Sequence, residues 1–192
     1  TIADPKTFGI SEYEPVLPIY HSGQPEDSKE HCSDLLHRLD RIDPDRLSPE
    51  NAYTYRLLHR SLENDLALAD FPYYNEPLSP SSGMQSQLPV LLAEYTFRTK
   101  RDVTDYLALL DQIDDYFASL LLYEQEKAAA GFFMPACSSE KVRKQCDTIV
   151  TTEELAQGTH FLQTTFEDRL SELQKQGLFT PEETASLIET NE

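Results

Sequence analysis

Apolar residues recur at spacings of three and four along most of this chain, the repeat of a single buried helix face. Cys32, Leu35, Leu36, Leu39 and Ile42 mark a first helix that begins near Pro25 and is stopped by Pro44. Ser48, Pro49 and Glu50 then supply a cap, a first-turn proline and an acid facing the helix dipole. Tyr55, Leu58, Leu62, Leu66 and Ala69 carry that second stripe to Asp70. Thr99 and Asp102 have the spacing of a capping box with aspartate at the third position. From there Val103, Leu107, Leu110, Phe117, Leu120 and Leu121 predict one helix of about 30 residues, roughly 45 Å long, ending at Gly131. Asp111, Asp114 and Asp115 fall on its polar side.

Ser138 or Ser139 is expected to cap a further helix containing Val142, Cys146 and Ile149. Phe161, Thr165, Phe166, Leu170 and Leu173 line the next, closed by Gly177. Thr180-Pro181-Glu182-Glu183 then combines cap, first-turn proline and capping-box glutamate. No segment alternates in the manner of a strand. The pattern predicts an all-α fold, an irregular multi-helix array with one long central helix over residues 25–192. Residues 1–24, with Pro5, Pro15 and Pro18 and no sustained period, read as an extended amino-terminal arm.

The stretch "FPYYNEPLSPSSGMQSQ" breaks the helical pattern, and a short helix is expected only from Pro89 to Tyr95. Loops of this length are uncommon without a function or disorder. One reading is a rigid connector, its prolines limiting backbone freedom and its tyrosines plugging a helix junction. The other is a recognition surface built from Tyr73, Tyr74, Gln85 and Gln87, which offer flat rings and both donors and acceptors. In an extended segment Gln85 and Gln87 would point the same way and could bond a peptide backbone together.

Charge narrows the partners. Sixteen basic and thirty-four acidic residues give a formal net charge of −18. That balance opposes binding to nucleic acid or to anionic membrane surfaces. No apolar run approaches the roughly 20 residues of a membrane-spanning helix. Cys137 and Cys146 are separated by nine helical positions, about 13 Å, too far for a disulfide. No H-E-x-x-H or G-x-S-x-G occurs, and the acidic turn Asp40, Asp43, Asp45 and Glu50 lacks the glycine and glutamate of a calcium loop. The residues therefore assign no catalytic group, no metal ligand and no cofactor in this chain.

The blocks "FPYYNEPLSPSSGMQSQLPVLLAEYTF" and "DVTDYLALLDQIDDYFASLLLYEQEKAAAGFFMP", with "LSPENAYTYRLLHRSLE" upstream and "QCDTIV" downstream, resemble the amino-terminal part of a bacterial family, domain of unknown function 885. The resemblance spans residues 5 to 190. It implies a larger, helical, zinc metallopeptidase-like parent, whose H-E-x-x-H motif lies later in the chain than anything present here. It also implies that zinc belongs to that parent and that these helices are a non-catalytic part of it, walling a groove for peptide substrate. Tyr74, Gln85 and Gln87 become candidate substrate-binding residues, and the remainder of the same chain becomes the first expected partner. Apolar surface left uncovered around Phe179, Leu187 and Ile188 would then favour self-association. The competing reading is a self-sufficient helical binding module without enzymatic activity.

Overall fold

Capping chemistry sets several helix starts in the computed structural model, which describes residues 10, 12–20, 25–149 and 151–191. The helices are α1 (Pro25–Leu39), α2 (Pro49–Leu68), α3 (Met84–Ala93), α4 (Lys100–Leu110), α5 (Ile113–Ala129), α6 (Ala136–Ile149), α7 (Thr152–Ala156), α8 (Phe161–Lys175) and α9 (Pro181–Asn191), with one 3-10 turn at Pro44–Arg46. No strand occurs among the described residues, and the fold is all-α. Ser48 accepts from the Asn51 amide at 3.3 Å. The Thr99–Asp102 capping box is complete on both sides. Thr180 and Glu183 exchange the same pair of bonds, at 2.8 and 3.1 Å. Gly131 and Gly177 end their helices at positive φ, 89° and 78°, where a side chain would be strained.

Three expectations are corrected. The predicted long helix is two helices, α4 and α5, interrupted at Asp111 and Gln112. At the break the Gln112 amide bonds the carbonyl three residues back, Leu109 (3.2 Å), instead of four. The abandoned Ala108 carbonyl accepts instead from the Gln112 side chain at 2.7 Å. Asp114 and Asp115 thus sit in the first turn of α5, where acids favour a helix start, rather than in mid-helix. Second, α6 begins at Ala136, before Ser138 and Ser139, whose amides both bond the Pro135 carbonyl. Third, α3 begins at Met84 and holds Pro89 in its interior. The short α7, capped by Thr151, was not foreseen.

The chain divides into two compact units. The first holds the described residues within Thr1–Ile19, Pro77–Leu120 and Met134–Glu192. Its core is Leu88, Leu92, Val103, Tyr106, Tyr116, Leu120, Phe166, Leu170 and Leu173, all buried. Tyr95, Phe97, Tyr106 and Phe166 form a ring cluster with centroids 5.4–6.2 Å apart. Arg169 lays its guanidinium over Phe97 (4.4 Å) and donates to the carbonyls of Leu92 and Tyr95, which pins the end of α3 to α8. Phe179 is buried under the Lys100 ammonium, and Leu187 and Ile188, where uncovered apolar surface is expected, are half-buried.

The second unit holds the described residues within Tyr20–Glu76 and Leu121–Phe133. There α1 and α2 pack as an antiparallel pair through Leu39, Leu62 and the half-buried Cys32, Leu35, Leu36 and Leu66. His59 bridges Asp40 (3.2 Å) and Glu63 (3.6 Å) at the edge of that pair.

Candidate functional site

The proline-rich loop spans residues 71–83 and is fastened at both ends by side chains of helices. Tyr73 stacks obliquely on Tyr123 and Phe132, centroids 6.0 and 5.9 Å apart. The Tyr123 hydroxyl reaches the carbonyls of Pro72 (3.0 Å) and Asn75 (3.1 Å). One helical turn on, Lys127 donates to the Asn75 carbonyl at 3.3 Å and pairs with Glu76 at 2.6 Å. This first half of the loop therefore lies on α5 within the second unit. Burial, followed by the Glu124 and Glu76 charges, pushes the Tyr123 phenol up to about 12. Glu124 keeps one buried carboxylate oxygen without a partner, and burial raises its carboxyl above the usual range.

The second half of the loop, from Pro77, belongs to the first unit. It folds back so that the Met84 amide meets the Pro77 carbonyl (2.9 Å) and the Gly83 amide meets Ser79 (3.0 Å). Gln85 donates both amide hydrogens, to the Ser79 carbonyl (2.7 Å) and to Gln145 Oε1 (2.9 Å). Gln145 in turn donates to the Pro80 carbonyl at 2.9 Å. These two glutamines lock the loop between α3 and α6.

The three candidate residues are thus in different circumstances. Gln85 is 3% exposed and committed to internal bonds. Gln87 is exposed on α3, and two helical positions place it about 200° from Gln85, so the two do not point the same way. Tyr74 is 74% exposed on the loop, in the other unit.

A second constellation escaped the sequence reading. Residues 13, 15 and 17 of the arm are half-buried, while 12, 14, 16 and 18 are exposed. The Tyr13 hydroxyl donates to the Asp105 carboxylate at 3.0 Å. Arg101 stacks on the Tyr13 ring at 4.2 Å, donates to the Tyr13 carbonyl at 2.6 Å, and approaches Asp105 at 3.4 Å. Gln112 donates to the Pro15 carbonyl at 2.9 Å, and its Oε1 accepts from the Leu17 amide at 3.0 Å. Only the alternation of Tyr13, Pro15 and Leu17 could have signalled it.

A family model described as "Bacterial protein of unknown function (DUF885)" matches residues 6–189, and the chain belongs to that family. No curated protein and no solved structure matches it.

Proposed function

We propose that this member of the DUF885 family is the non-catalytic helical part of a zinc metallopeptidase-like protein and forms a wall of its peptide groove. The observation that carries the reading is the second apolar side of α2. Opposite the face that packs on α1, Tyr53, Leu57 and Leu68 are 59%, 55% and 46% exposed. A helix at the surface of a self-contained domain shows one apolar stripe, whereas α2 adds exposed apolar residues on its far side, Tyr53 and Leu57 one turn apart and Leu68 near its end. Large apolar side chains left exposed on one side of a helix are the kind of surface that a partner covers. In this reading later helices of the parent chain cover it.

Within the same reading Tyr74 and Gln87 would meet peptide directly, and Gln85 would act through the loop it holds. Zinc would belong to the parent. Among the described residues no three His, Cys, Asp or Glu side chains are grouped to hold a metal ion. In this reading the described residues wall the groove and take no part in the hydrolytic step.

The test uses the parent protein and this chain side by side, each with Leu57→Arg/Leu68→Arg. The double substitution is expected to leave the Tm of this chain within a few degrees of the original and to lower that of the parent, together with its hydrolysis of unstructured peptides. A parent without bound zinc and without peptide hydrolysis would remove the peptidase reading. A parent indifferent to the charges on α2 would remove the wall, and favour a free-standing interaction module.

A further inference from the structure

We propose that the α4–α5 junction is a binding site for an extended peptide, read through its backbone, and that residues 13–17 of the arm are its resident ligand. The proposal is independent of the groove-wall reading, since it concerns the first unit alone.

The geometry is that of peptide recognition. An extended chain shows the same side every second residue, and here residues 13, 15 and 17 are the ones engaged. Arg101 takes the carbonyl of the first, and Gln112 takes the carbonyl of the second and the amide of the third. A single primary amide that accepts from one peptide N–H and donates to a nearby C=O replaces the ladder partner of a strand. These bonds go to groups that every peptide has. The first position adds side-chain selection, since Asp105 and Arg101 form a seat for a phenol.

The seat is built rather than incidental. Asp105 is only 6% exposed, so its carboxylate is committed to the Tyr13 hydroxyl and to Arg101. Gln112 uses both amide hydrogens, one on Pro15 and one on Ala108, and the latter bond maintains the helix break itself. An unbroken helix would use the Gln112 backbone amide for the Ala108 carbonyl. The interruption between α4 and α5 thus accompanies the site, and an empty site would leave Asp105 and Gln112 short of partners.

Residues 13–17 are held through side-chain bonds to their backbone and not by a helical ladder, and Val16 is largely exposed, so this segment opens locally more readily than the helices unfold. A tethered ligand competes at an effective concentration on the order of millimolar, which hides the site from a free peptide in the intact chain. Weakening the arm without touching its seat should reveal it.

The experiment titrates a labelled synthetic peptide of residues 12–19 into the full chain carrying Tyr13→Ala. It is expected to bind at least about tenfold more tightly than to the unaltered chain. Methylating the Leu17 amide nitrogen of the peptide, which removes the donor to Gln112, should cost most of that binding. Gln112→Ala added to the Tyr13→Ala chain should do the same, with helix content checked by circular dichroism. Absence of binding to the Tyr13→Ala chain, or binding indifferent to the methyl group, overturns the proposal. If Tyr13→Ala impairs folding, the unaltered chain serves: peptide well above the effective concentration of the tethered arm, on the order of 10 mM, should displace the arm and remove hydrogen-exchange protection from the Leu17 amide. Unchanged protection would then overturn it.

Discussion

Lys127 and Glu76 form an ion pair whose two ends live in different media. The lysine side chain is 2% exposed and the glutamate side chain 46%. Glu76 is the last residue of the loop segment that lies on α5, so the pair fastens loop to helix at 2.6 Å. Removing the carboxylate leaves a buried ammonium with the Asn75 carbonyl and the nearby Glu124 charge but without its direct ion-pair partner, whereas replacing the lysine by an apolar residue leaves a Glu76 carboxylate that can turn to water. Glu76→Ala is therefore expected to cost about 1–3 kcal/mol, and Lys127→Met less. The double substitution should recover part of the loss. Urea denaturation of the three variants measures this, and an equal cost for both single changes would refute the asymmetry.

Gln85 and Gln87 should separate in the same assay. Gln85→Ala deletes donors to Ser79 and Gln145 inside a buried network and is expected to destabilise by about 1–3 kcal/mol. Gln87→Ala, at an exposed helix position, should stay within about 0.5 kcal/mol. Loss of peptide turnover in a parent carrying Gln87→Ala, at unchanged stability, would support direct contact with substrate; the same loss in Gln85→Ala must first be corrected for stability.

These two residues also show what the sequence carries and what it does not. Helix starts at Ser48, Thr99 and Thr180 were legible because a cap is chemistry among residues three apart. The start of α3 was not, because Gly83 caps it without a side chain and Pro89, normally a first-turn signal, sits inside it. The break at Gln112 was invisible for a different reason. The apolar stripe continues across it, and the side-chain bonds to Pro15 and Leu17 span 97 and 95 residues. Burial of Gln85 and Lys127 is likewise decided by partners far along the chain, so an inventory of polar loop residues could not tell a surface contact from an internal strut.

Gly83 offers a sharp test of the loop's packing. Its φ of −74° suits any residue, so alanine meets no backbone objection. A Cβ there would instead run into the backbone nitrogen and oxygen of Ser79 and the side-chain oxygen of Gln85. Backbone cannot swing aside as a flexible side chain can. Gly83→Ala is expected to cost about 1–3 kcal/mol through overpacking, where the usual glycine-to-alanine change in a loop of compatible geometry stabilises. A Tm equal to or above that of the unaltered chain would mean that the Pro77–Gly83 turn is loosely held.

Alkaline pH probes the ring cluster of the first unit. Burial, then the charges of Asp105, Tyr13 and Asp102, pushes the Tyr95 phenol from 10.0 up to about 12, and burial also raises Tyr106. A phenol held neutral in the fold but ionising near pH 10 when unfolded makes the native state the better proton binder between those values. Stability is then fully present below pH 10 and falls as pH rises toward 12. Tyr95→Phe keeps the ring against Phe97 and Tyr106 and removes the ionisable group. The Tm of the unaltered chain should decline more steeply than that of Tyr95→Phe from about pH 10 upward, while the difference between them stays constant from pH 7 to 9. A gap that remains constant to pH 11 would show that the Tyr95 hydroxyl reaches water in the folded chain, and that the cluster around Arg169 is more open than its geometry indicates.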